Sequence, residues 1–138
     1  MKRFLLLIIL IGTSCSDKIS KEKLDLLNGY WEIEKVEFPN GEKKEYQMSS
    51  VVDYIQIDNL QGYRKKVVPK FDGSFETSDD AEPFIISERN KKFFIKYQNP
   101  LSEWEESLIS LTYDNFTVKN QDGLIYHFKR FEHLKLDL

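Results

Sequence analysis

From Tyr30 onward the chain repeats one pattern, and that pattern restricts its fold more than any other feature. The segments 30–38, 51–58, 62–68, 83–88, 92–98, 103–111, 114–119 and 123–130 are rich in Tyr, Phe, Ile, Val and Trp. Turn signals separate them: Pro39-Asn40-Gly41, Asp58-Asn59, Asp72-Gly73, Asn99-Pro100 and Asp122-Gly123. Many short strands with short turns predict a sandwich or a barrel. About eight consecutive strands point to an up-and-down antiparallel barrel, because closure removes the unpaired edges that an open sheet exposes. The expected fold class is therefore all-β, a small barrel preceded by one short helix. The helix is expected over 21–27, with Ser20 as N-cap, Ile19 and Leu24 at staple spacing, and Asn28-Gly29 ending it.

Alternation assigns the faces. Phe93, Ile95 and Tyr97 share one side, as do Phe116 and Val118, and as do Leu124, Tyr126 and Phe128. Phe93, Ile95, Tyr97, Leu124, Tyr126 and Phe128 are expected to point inward, joined by Trp104. "VKNQDGLIYHF" reads as a hairpin turning at Asn120 to Gly123. Trp31 and Ile33 point one way while Val36 and Phe38 fall one residue out of step, which predicts a bulge near Glu34-Lys35. Inward bulk of this size leaves at most a shallow pocket near one mouth. Tyr97, Trp104 and Tyr126 are the candidates to line it, since each joins an apolar face to a polar handle; plain core packing is the competing role.

The opening "LNGYWEIEKVEFPNG", with Gly29, Tyr30 and Trp31 in a G-x-W arrangement, resembles the first strand of lipocalin-like domains in Bacteroidetes lipoproteins. "LTYDNFTVKNQDGLIYHFKR" is similar to the closing hairpin of the same domains. The resemblance implies that Trp31 packs under Arg130 to close one barrel end. It also implies a barrel mouth that holds a small apolar or amphipathic molecule.

The N-terminus has a separate grammar. Lys2 and Arg3 precede an apolar run from Phe4 to Ile11, and Gly12, Thr13 and Ser14 lead to Cys15, the single cysteine. This reads as a secretory signal peptide. The run is too short to cross a bilayer core of about 30 Å, which takes roughly 20 helical residues. "LIILIGTSCSDK" resembles the lipobox of bacterial lipoproteins, which implies that Cys15 is lipidated and becomes the first mature residue. Several acyl chains, at about 0.8 kcal/mol per buried methylene, hold a protein stably on a membrane. An intermolecular disulfide through Cys15 is the other reading. The expected organisation is a leader over 1–14, a lipidated tether over 15–20 and the barrel domain over 21–138. The expected location is the bacterial cell envelope, on the outer membrane. Ser16 and Asp17 faintly resemble a surface-export signal.

Composition removes several function classes. Charged residues make up 31% of the chain with both signs interspersed, and the net charge of −3 draws it to no polyanion. Cleavage after Ser14 removes two bases and no acid, taking −3 to −5. His127 and His133 have no spaced partner, and neither a nucleophile-elbow serine nor a Gly-rich phosphate loop is present. His127 is expected on the outer face of its strand. Asp79, Asp80 and Glu82 lack the ligand spacing of a calcium loop and read as a solvated loop. In "GYRKKVVPK", alternation splits Arg64 and Lys66 from Lys65, and the stretch reads as a charged edge strand guarded against aggregation. Asn115-Phe116-Thr117 fits a glycosylation sequon, which carries no weight in a bacterial chain. The expectation is a non-enzymatic protein without metal or cofactor. Two classes remain: a membrane-tethered module binding a small apolar or amphipathic molecule, or a structural subunit of an envelope complex with a solid barrel. A cavity of roughly 300 Å³ or more distinguishes them.

Overall fold

The computed structural model describes residues 18–47 and 51–132. The leader, Cys15, Ser16, Asp17 and His133 lie outside the described residues. A 3-10 helix, Lys21–Leu27, precedes ten strands: β1 Gly29–Glu37, β2 Lys43–Glu45, β3 Val52–Asp58, β4 Gln61–Pro69, β5 Phe75–Thr77, β6 Glu82–Arg89, β7 Lys92–Gln98, β8 Glu103–Leu111, β9 Asn115–Asn120 and β10 Ile125–Arg130. Eight of them form the barrel. They run β1-β3-β4-β6-β7-β8-β9-β10, each antiparallel to the next, and β10 pairs back onto β1 with Trp31 opposite Arg130 and Ile33 opposite Phe128. The two three-residue strands fold onto the barrel, β2 against β1 and β5 against β4.

Local chemistry explains the connections. The β3–β4 and β6–β7 hairpins turn at Asn59-Leu60 and Asn90-Lys91, all four residues with positive φ between 49° and 68°. Such turns match the right-handed twist of the strands, and Asn tolerates the conformation well. The last hairpin closes where expected: Gly123 donates its N–H to the Asn120 carbonyl at 3.2 Å, and Asn120 Oδ1 accepts from the N–H groups of Asp122 and Leu124. The β1 register shifts between Ile33 and Lys35, the expected bulge, so that Trp31, Ile33 and Val36 all reach the interior side.

The interior has two unlike halves. Around the helix, Leu24 and Leu27 seal one end over Trp31, Phe116, Ile57 and Leu111. Phe116 stacks on Phe128 with centroids 4.6 Å apart and meets Trp31 edge-on at 4.7 Å. Moving along the strands away from the helix, Ile55 gives way to Asp53, Ile95 to Tyr97, Leu108 to Glu106 and Phe128 to Tyr126. Apolar core is replaced by polar lining at the other end.

Several expectations change. The helix is of the tighter 3-10 kind, and the Ser20 side chain makes no capping bond; its carbonyl instead accepts from Lys23 N–H at 3.0 Å. Leu124 sits in the turn before β10 and is only half-buried, because Asn120 holds its N–H. The short strands β2 and β5 add to the expected set, their "KKE" and "FET" sequences having no apolar alternation. The largest correction concerns β4. It pairs with β3 along seven residues and with β5 and β6 on its other side, so it is no edge strand.

Candidate functional site

The polar end of the barrel contains a cavity of about 660 Å³. Tyr97, Trp104 and Tyr126, the three pocket candidates, all border it. Tyr97 is buried, and Trp104 stacks on it with centroids 5.2 Å apart and planes 11° from parallel. Trp104 and Tyr126 are half-buried, which leaves part of each ring on the cavity wall. Ile33, Val36 and Phe128 complete the apolar side. The cavity is larger than the shallow pocket expected from aromatic bulk, since its inward positions also include charged residues that do not pack as a solid core.

Those charged residues were missed as a group. Arg64 is turned inward from β4, its side chain only 15% exposed. Its Nη2 donates to Asp53 Oδ2 at 2.8 Å and its Nη1 to the Tyr97 hydroxyl at 3.3 Å. The guanidinium lies 4.8 Å from the Phe128 ring centroid, in cation–π contact. Lys66 reaches in from the mouth, with Nζ 2.6 Å from Asp53 Oδ1. Burial pushes the Asp53 carboxyl upward, but Arg64 and Lys66 together hold it below its ordinary value. Burial also raises the Tyr97 phenol, keeping it a neutral hydrogen-bonding group.

Glu106 completes the polar floor. It points inward from β8 beside Trp104, and burial raises its carboxyl above the ordinary value against the pull of Arg64. Its Oε2 is fully buried and accepts no hydrogen bond from the described residues. The acidic loop contributes at the rim, where Asp80 and Glu82 border the cavity and Glu82 accepts from Asn99 Nδ2 at 3.2 Å. Asp79 is exposed.

The remaining site candidates lie elsewhere. His127 is on the outer face of β10, with Nδ1 3.2 Å from Thr117 Oγ1 and Nε2 3.3 Å from Glu37 Oε2. Trp31 and Arg130 meet at the helix end: Arg130 Cζ stands 4.1 Å from the indole centroid. Gly29 makes this possible, because a Cβ there would fall 2.6 Å from Arg130 Nη1 and the residue has a φ of +126°. The G-x-W arrangement therefore has a local cause: glycine admits the arginine and tryptophan supports it.

No protein-family model matches the chain, and no curated protein does. Among solved structures, a lipocalin-like protein from Bacteroides uniformis is 13% identical, over 77% of this chain and 99% of its own, with a TM-score of 0.48. An uncharacterized protein from Bacteroides eggerthii is also 13% identical, over 76% and 99%, with a TM-score of 0.48. Apocrustacyanin C1 matches at 13% identity over 85% of this chain and 67% of its own, with a TM-score of 0.50. At such identities the likeness speaks of fold alone, and the fold is a closed eight-stranded antiparallel barrel with a short helix at its N-terminal side, similar in fold to apocrustacyanin C1.

Proposed function

We propose that this protein is a membrane-tethered, non-enzymatic lipoprotein of the bacterial cell envelope whose barrel mouth holds one small amphipathic molecule. The cavity of about 660 Å³, walled by Trp104, Tyr126 and Phe128 over a polar floor, carries the binding half of this reading. Pockets of roughly 300–1,000 Å³ with apolar walls and a few placed polar groups are the size and chemistry of small-molecule sites. A barrel filled by side chains, the structural-subunit alternative, has no place for that volume. The signal-peptide pattern ending at Cys15 supports the tether and the envelope location.

Each half has its own test. Native mass spectrometry of the protein purified from its own cells is expected to show a co-purifying small molecule. Replacing Trp104 by Ala should weaken an apolar fluorescent probe such as N-phenyl-1-naphthylamine about tenfold, one large aromatic wall being lost. The same change should lower stability by only about 1–2 kcal/mol, since the ring is half-buried. A large loss of stability, with no probe binding even in the parent, would show the barrel to be a structural element. For the tether, Cys15→Ala is expected to leave the membrane fraction and accumulate as unprocessed or soluble chain. Equal membrane retention of variant and parent removes the lipid anchor from the proposal.

A further inference from the structure

Resting on the pocket proposed above, we infer that Glu106 is its polar anchor and that the guest is a primary amine on an apolar body. Three observations lead there. The first is the unused acceptor: Glu106 lines the cavity, and its buried Oε2 has no hydrogen-bond partner among the described residues. A buried carboxylate oxygen without a donor is costly, and a guest ammonium is the group that relieves it most fully.

The second is that the cations already present are committed. Arg64, which would otherwise recognise an anionic head group, spends Nη2 on Asp53 and Nη1 on Tyr97, with its plane against Phe128. Lys66 is engaged with the other oxygen of Asp53. Lys65, on the opposite face of β4, lies 6.0 Å from the ring centroids of Tyr54 and Tyr63. Four carboxylates border the cavity, Asp53, Asp80, Glu82 and Glu106, against two cations whose side chains turn toward it, Arg64 and Lys66. The surplus charge is negative, and Glu106 is the inward carboxylate that no ion pair neutralises among the described residues.

The third is the wall beside it. Trp104, two residues away on the same face of β8, and Tyr126 present aromatic surface to the cavity. A cation against aromatic faces gains attraction that a carboxylate loses and a hydroxyl lacks. Ion pairing in a site partly withdrawn from water adds to it.

The test compares three probes with one body and different heads: 2-phenylethylamine, 2-phenylethanol and phenylacetate. Each is titrated calorimetrically into the full chain held in lipid nanodiscs, with empty nanodiscs subtracted. The amine should bind about tenfold more tightly than the alcohol, and the carboxylate more weakly than either. Glu106→Gln should bring the amine to within about threefold of the alcohol, with the alcohol itself weakened by less than about threefold, and Glu106→Asp should retain the preference. Tightest binding by phenylacetate, or an amine preference that survives Glu106→Gln, overturns the inference and leaves the pocket standing. Loss of the alcohol as well in Glu106→Gln overturns it too, because Glu106 then acts on the fold. Failure of all three probes to bind the parent removes the pocket and this inference together.

Discussion

Replacing Arg64 by methionine is expected to destabilise the barrel by about 3–5 kcal/mol, the cost of breaking a buried ion pair by removing one partner. The substitution keeps the bulk of the arginine stem but leaves Asp53, 4% exposed, with only the mouth-side Lys66. It also removes the donor to the Tyr97 hydroxyl. The double variant Asp53→Leu/Arg64→Met should recover about 2 kcal/mol of the loss, because replacing both members of such a pair by apolar side chains approaches neutrality. Urea unfolding of the parent and both variants checks this. A double variant no more stable than the single one would mean that Asp53 is tolerated without Arg64.

The same pair sets a pH signature. In the parent, the folded Asp53 carboxyl lies below its ordinary value, so its contribution is complete above that value and declines as pH falls through about 4 and lower. In Arg64→Met only Lys66 still opposes the burial of Asp53, so its folded-state carboxyl moves upward from its position in the parent. The variant therefore lacks part of the stability that the ionised carboxylate gives the parent at higher pH, and that difference vanishes once the carboxyl is protonated in both. The gap between parent and variant should therefore be widest near neutral pH and shrink toward pH about 4. A gap that widens on acidification contradicts the assignment of Arg64 as the partner of Asp53.

Arg64 also shows where sequence reading reaches its limit. The apolar faces were legible because periodicity reports burial directly: Phe93, Ile95 and Tyr97 are all at most 4% exposed. The β1 bulge was legible from its broken alternation. The polar floor followed the same parity, since Asp53 continues the face of Ile55 and Ile57, and Glu106 continues that of Leu108. It was passed over because a charge on an alternating strand ordinarily marks the wet side. Only the neighbours across the barrel turn it inward. Arg64 faces Asp53 and Tyr97 from other strands, and no local pattern encodes those meetings. The short strands β2 and β5 were illegible for a related reason. Their pairing is set by the chain beside them, while their own residues carry no alternation.

At the opposite end of the barrel, Trp31→Ala should cost about 3–5 kcal/mol, the range for removing a buried large aromatic. The indole has no exposed surface, and its Nε1 donates to the Leu27 carbonyl at 2.8 Å, tying helix to barrel. Above the ring, Arg130 gathers the chain ends. Nε donates to the Tyr113 carbonyl at 2.6 Å, Nη1 to that of Asn28 at 3.0 Å and Nη2 to that of Leu26 at 2.7 Å. One guanidinium thus joins the helix, the entry to β1 and the β8–β9 turn, using a fork that lysine cannot copy. Arg130→Lys should therefore behave nearly as Arg130→Ala. Because the indole supports the guanidinium from below, the two residues act as a unit. A double-mutant cycle of Trp31→Phe and Arg130→Ala should give a coupling of about 1 kcal/mol, whereas strict additivity would show that the ring and the arginine stabilise the closure separately. The cavity lies at the other mouth and shares no lining residue with this cluster. Trp31→Phe should accordingly leave probe affinity unchanged at temperatures where the variant is folded, which separates the residues that close the barrel from those that fill it.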